Sequence, residues 1–435
     1  MEKLRNEFVP LLPNCHFRMK ILVVVDSIDV NDSSGSKANV ALIQNLAACG
    51  FEVCVLHYTQ KNIILDAVTC VAVPEKKWNY LYVLSRTERL FTRLTKISLN
   101  KYLEQWFGFS FTFFNDSYSI ATAVKKHKDF QPDLILTLSK GASFRPHHAL
   151  LKVPEFHNKW MAYVHDPYPF HFYPRPYNWI QPGYAQKERF FRTVSGKAEY
   201  SAFPSQLLKE WMGSYFDNFL KTGIIIPHQV EKNTINDIPA PDYFDSTKFN
   251  LLHAGNLMKQ RSPIPLIKAY KKFLEAFPDA EKQSQLLLLG PADFYEEELI
   301  NFQKEITSLH VENRNVPFKE VLALQEKVSV NIILESKSEI SPFLPGKFPH
   351  CIAADKPILL LSPYYSETRR LLGENYSYWA EADDVVKIKT KIEKLYLNWK
   401  ENSNQFLNRK DLEKYCSNEH VKKELFKLFN NTQNL

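Results

Sequence analysis

Short, unbroken apolar runs recur along this chain, each bounded by turn residues. "KILVVVD" (20–26), "FEVCVLHY" (51–58), "PDLILTLS" (132–139) and "WMAYVHD" (160–166) occupy the first half. "FNLLHAG" (249–255), "QLLLLG" (285–290), "VSVNIILES" (328–336) and "KPILLLS" (356–362) occupy the second. A strand with one wet face alternates apolar and polar residues, whereas a strand covered on both faces does not. These runs therefore demand a parallel sheet with helices above and below it. The stretches between them supply helical patterns, as in "GSKANVALIQNLAACG" closed by Gly50, "PIPLIKAYKKFLEAF" and "YEEELINFQKEITSL".

A chain of 435 residues exceeds one ordinary core, so two domains are expected. The polar, proline-bearing stretch "IPHQVEKNTINDIPAPDYFDSTKFN" divides the two sets of runs. The expected fold is α/β, with two tandem Rossmann-like doubly wound domains facing a central cleft. Residues 1–18 read as a leader of unknown role and 19–222 as an N-terminal domain. Residues 223–249 read as a connection, 250–410 as a second domain, and 411–435 as a C-terminal helix that packs back on the first. Ligands of such sheets bind at the carboxyl ends of the strands, so the cleft is the expected site.

Composition narrows the classes. Net charge is +7, a mild excess of 55 Lys and Arg over 48 Asp and Glu. It suits a phosphate-bearing ligand or an anionic membrane surface and does not call for nucleic acid. The six cysteines include no CxxC pair, which fits reduced residues of a cytoplasmic protein. No apolar run reaches the length of a membrane span. Neither a D-x-D triplet nor an H-E-x-x-H spacing is present. The segment 78–114 is rich in aromatic residues and basic on balance. It reads first as a pair of core helices with solvated charges. The alternative is an apolar face on lipid, with Arg86, Arg89, Arg93 and Lys96 beside it.

Four stretches carry chemistry. Gly35, with Ser33, Ser34 and Ser36, lets backbone N–H groups approach a phosphate, although taken alone it reads as a serine-capped helix start. His165 and Asp166 end a strand and suit a hydroxyl or a shared proton. Gly255 ends another strand, and Lys259 and Arg261 follow it with charge for a diphosphate. Glu339, Gly346, Lys347 and His350 surround a turn that enters a helix.

Taken together these stretches resemble the retaining glycosyltransferases of the GT-B fold, the group 1 or family-4 class. "SSGSKANVALIQNLAACGFEVCVLHY" resembles that family's glycine loop, helix and second strand, and "IIIPHQV" its "IPNGV" at the domain junction. "LLHAGNLMKQRSPIPLIKAY" resembles "vGRLxxxKGxxxLIxA", and "LPGKFPHCIAADKPIL" resembles "PSKxxEYxAxGKPI". The chain departs from the pattern at Asn256, which stands at the family's arginine, and at His350, which stands at its ribose-binding glutamate. Arg261 stands at the family's lysine.

The resemblance implies a nucleotide-diphosphate-sugar donor on the second domain, with no cofactor and no metal. The base would lie near Val316 and Phe318. The diphosphate would meet Asn256, Lys259, Arg261, the Gly346–Lys347 turn and the Gly35 loop, and His350 the ribose. His165 and Glu339 are the candidate catalytic residues. The acceptor would be a glycan or a lipid-linked sugar of surface-polysaccharide synthesis, at the inner membrane face. Two other readings stand beside it: a nucleotide-sugar epimerase of similar architecture, and a protein that binds nucleotide sugar or glycan without turnover.

Overall fold

A computed structural model of the chain describes residues 19–230 and 238–432. The expected leader, 1–18, and part of the expected connection lie outside the described residues.

The apolar runs form two parallel sheets. In the first half the strands are β1 (Lys20–Val25), β2 (Glu52–His57), β3 (Thr69–Ala72), β4 (Leu134–Leu138), β5 (Trp160–Tyr163), β6 (Tyr200–Phe203) and β7 (Gly223–Ile225). Their order is β3-β2-β1-β4-β5-β6-β7. In the second half they are β8 (Phe249–Ala254), β9 (Ser284–Leu289), β10 (Leu309–Glu312), β11 (Val330–Leu334), β12 (Ile340–Ser341), β13 (Ile358–Leu361), β14 (Tyr365–Ser366) and β15 (Trp379–Ala380). Six of these form a sheet ordered β10-β9-β8-β11-β13-β15, and β12 pairs with β14 beside it. Each order reverses direction beside its first strand, next to β1 and next to β8. That is the switch point at which a crevice opens above the strand ends. The strand β7 falls within the stretch expected to be a connection.

Burial explains the continuous runs. Residues on opposite faces of β1, such as Leu22 and Val23, belong to different apolar clusters, so both faces of the strand are dry. The same holds for β8, with Leu251 and Leu252. Helix α1 (Ser34–Ala48) follows β1; the Ser33 hydroxyl caps it by accepting from the Ser36 N–H at 3.0 Å. The C-terminal helix Asn418–Thr432 leaves the second half and packs on α1. Its Val421 and Leu425 are buried in the core beside β1.

The two halves also meet directly. Glu367 is fully buried, and its carboxylate accepts the N–H groups of Gln206 and Leu207, each at 3.2 Å, at the start of the helix Gln206–Tyr215. Arg370 donates to the same carboxylate at 2.7 and 3.0 Å. Tyr177 and Ser336 share a hydroxyl hydrogen bond of 2.6 Å across the junction.

The aromatic segment corrects one expectation. It forms α2 (Tyr80–Thr95), α3 (Asn100–Phe107) and α4 (Phe111–Lys126). Only α4 is a core helix, burying Phe113, Ile120, Ala121 and Val124. Helix α2 buries Ser85 and Glu88, and α3 buries nothing. Among the described residues no helix is long and apolar enough to cross a membrane.

Candidate active site

At the end of β8 the backbone is turned in a way that side chains oppose. Gly255 has φ +150 and Gly290, after β9, has φ +137. A Cβ on Gly290 would stand 2.5 Å from the Gly255 carbonyl oxygen, so the two strand ends touch through backbone. A Cβ on Gly255 would stand 3.1 Å from Nζ of Lys347. The space left by that glycine is thus where the lysine passes.

Lys347 Nζ lies 3.2 Å from Nδ1 of His253, a buried residue of β8. Burial first, then the charges of Lys347 and Arg261, drives the His253 imidazolium well below its ordinary range. The ring is therefore neutral, and its lone pair accepts from the ammonium. Lys347 is itself destabilised as a cation: burial and the nearby Arg261 lower it to about 7. Arg261 donates through Nη1 to the Asn256 carbonyl at 3.3 Å, and its buried Nε has no protein partner. Glu335, just past β11, supplies negative charge. Its Oε1 accepts from the Ser366 hydroxyl at 3.0 Å, and its buried Oε2 has no protein partner. Burial raises its pKa, against the pull of nearby hydroxyls and Arg261.

The first sheet contributes the other wall. In the first turn of α1, a Cβ on Gly35 would come 3.2 Å from the Gly141 N–H, so the helix start and the loop after β4 lie close together. Lys37, on the same turn, places its ammonium 4.8 Å from the centre of the Phe318 ring in the second half. Phe318 in turn contacts His350, centroid to centroid 5.2 Å. Burial and then the Lys37 charge lower His350 to about 4.

His165 lies two residues past β5 and is buried. Its ring stacks on His228 at 5.9 Å and 10°, and its Nε2 has no protein partner. Burial, then His228 and His147, holds it well below the ordinary histidine range. Burial and then His350 lower His228 to about 4. Three imidazoles from both halves are thus neutral hydrogen-bonding groups at neutral pH. Burial also pushes the Asp166 carboxyl up to about 6.

The structure therefore brings Gly255, Arg261 and Lys347 to one place, and joins His165 through His228 to His350 and Phe318. The others are placed differently. Asn256 is exposed and engages Arg261 through its carbonyl. Lys259 is exposed, with its ammonium 5.4 Å from the Phe294 ring centre. Gly346 is exposed, and Val316 packs on the cluster of Leu252 and Leu324. Glu339 is exposed, four residues beyond the buried Glu335. Four groups escaped the sequence reading of the site: Lys37, His228, His253 and Glu335. His228 and His253 lie inside motif stretches already noted, and Glu335 ends an apolar run; each carried a positional signal. Lys37 carried none beyond its place in the first helical turn. Among the described residues no group of three or more His, Cys, Asp or Glu side chains is arranged to hold a metal ion.

No protein-family model matches the sequence, and no curated protein matches it. Solved structures do match. An α,α-trehalose 6-phosphate synthase from Burkholderia multivorans superposes with TM-score 0.59 at 11% identity, covering 96% of this chain and 98% of that one. The trehalose-6-phosphate synthase OtsA gives 0.58 at 13% identity, over 86% and 91%. HepE of Anabaena, in complex with UDP and glucose, gives 0.54 at 10% identity, over 95% and 100%. These are GT-B proteins of two facing Rossmann-like domains. The chain has the GT-B fold. In this GT-B chain the groups described above lie near the carboxyl ends of strands, or in the loops and first helical turns that follow them.

Proposed function

We propose that this protein is a glycosyltransferase that moves a sugar from a nucleotide-diphosphate-sugar donor to a glycan or lipid-linked acceptor. The observation that carries the reading is Lys347 and Arg261 converging at Gly255, where β8 ends. Two cations that raise each other's energy call for an anion, and a diphosphate placed there would relieve both. As the glycosidic bond breaks, negative charge grows on that diphosphate. Lys347 and Arg261 then stabilise the leaving group more than the bound donor, which is what speeds the reaction. Two fixed positive groups can offset this charge without a metal, so we infer metal-independent transfer. Retention of configuration, and a role in surface-polysaccharide synthesis, follow from the family resemblance.

The other groups take consistent parts. His165 offers an unpartnered Nε2 to a sugar hydroxyl. Phe318 offers a ring face to the base, and neutral His350 offers a ring nitrogen to the ribose. Closure of the cleft would exclude water and favour transfer over hydrolysis.

Thermal denaturation with UDP, GDP, ADP and CMP, each with and without Mg²⁺, tests the reading. A ligand at about a hundredfold over its dissociation constant stabilises by about 2.7 kcal/mol. We expect a metal-independent shift with one nucleoside diphosphate, lost in Lys347→Met, followed by glycosylated product from the matching donor. No shift with any nucleotide would overturn the donor assignment. Binding without transfer to any acceptor would leave a nucleotide-sugar-binding protein.

A further inference from the structure

Helix α2 is amphipathic with the wrong side out. Tyr80, Leu84, Phe91 and Leu94 recur at intervals of four, seven and three residues, so they lie on one stripe. That stripe is exposed, Leu94 to 73%. The side packed on α4 carries Ser85 and Glu88, both buried, with Thr92 donating to Glu88 at 3.2 Å. Helix α3 continues the surface with Tyr102 and Trp106, the latter 70% exposed. Eleven of the 24 exposed large apolar side chains among the described residues fall between Trp78 and Phe107. Such a concentration marks an interaction surface rather than ordinary scatter.

The charges around the stripe say what covers it. Arg89, Arg93, Lys96 and Lys101 are exposed, and among the described residues none of them forms an ion pair with a carboxylate. The acidic groups of the two helices are occupied: Glu88 is buried, and Glu104 is held by Lys187 at 2.8 Å. The surface is therefore apolar with a cationic flank. A second copy of the chain on a twofold axis would set those cations against themselves. A bilayer rich in anionic headgroups matches both parts, and Trp78 and Trp106 at the two ends are the rings that settle at headgroup depth.

We propose that α2 and α3 dock this protein on an anionic lipid surface, with the apolar stripe in the headgroup boundary and the four cations on lipid phosphates. The docking uses no group of the cleft, so it stands or falls apart from the donor reading.

Flotation of the full chain with phosphatidylcholine vesicles, with and without phosphatidylglycerol, tests it at low and high salt. Binding is expected to the anionic vesicles and to fall with salt, since each cation near such a surface is worth roughly fivefold in partition. Arg89→Gln with Arg93→Gln should weaken binding accordingly. Leu90→Ser with Leu94→Ser should weaken it by more than about tenfold. These side chains are exposed, so an unchanged melting temperature will show that the variants fold. No binding to anionic vesicles, or equal binding to both kinds, overturns the proposal. So does a dimer in solution that the serine pair dissociates.

Discussion

The ammonium of Lys347 lies 3.2 Å from Nδ1 of His253, and both groups are driven toward their neutral forms. A lysine lowered to about 7 in the folded chain and at its ordinary value of 10.5 in the unfolded one has a definite signature. Between those two pH values the unfolded chain binds the extra proton, so this group makes stability rise with pH across that window. Lys347→Met should remove that rise and, below about pH 7, give a more stable ligand-free protein than the wild type. Urea midpoints measured as a function of pH check this. Bound diphosphate reverses the balance: it should draw a proton onto Lys347, and affinity should fall as pH rises above about 7. Calorimetry in buffers of different ionisation enthalpy reads the proton uptake, which should vanish in Lys347→Met.

Arg261 keeps a buried Nε without a protein partner, while its Nη1 donates to the Asn256 carbonyl. Arg261→Lys preserves charge but not the planar fork that meets two oxygens at once. Nucleoside diphosphate binding should weaken by about 1.5–3 kcal/mol, the worth of a charge-assisted hydrogen bond. If titration shows equal affinity for the two proteins, the guanidinium does not touch the ligand.

Glu367 bridges the halves of the chain, closing the first turn of one helix with a carboxylate from the other domain. Glu367→Ala leaves two N–H groups and the half-exposed Arg370 without their buried acceptor. The expected loss is about 1–3 kcal/mol, the cost of leaving buried hydrogen-bonding groups without a partner. Chemical denaturation should show it, with the two halves melting less cooperatively.

Gly290→Ala sets a methyl group 2.5 Å from the Gly255 carbonyl at φ +137. The backbone conformation alone costs about 1–3 kcal/mol for a residue with a side chain. Because the displaced atom belongs to Gly255, nucleotide binding should weaken along with stability. Gly346→Ala, where nothing lies within 4 Å of the new methyl, should change neither by much.

Much of the fold was legible because buried parallel strands announce themselves: every apolar run quoted above became a strand of one sheet or the other. The site was legible only in part. Gly255, Arg261 and Lys347 were found through strand ends and charge. Glu335 is buried and Glu339 exposed, and sequence does not say which of two carboxylates, four residues apart in a loop, turns inward. His228 and His350, 122 residues apart in the chain, come close enough for the charge of one to bear on the other, and nothing local in the sequence records that proximity. Helix α2 was misread for a related reason. Periodicity reveals an apolar stripe, but only the packing on α4 shows which way it points.

That orientation has a consequence for control. To hide its stripe, α2 would have to roll and take Ser85 and Glu88 out of their buried seat on α4. Turning the leucines in would mean repacking the face of α4 on which that polar side now sits. The adhesive side is on display in this structure, and among the described residues nothing covers it. Where the protein resides would then be decided by the composition of the surfaces it meets, and anything that alters their charge would move it without changing its shape.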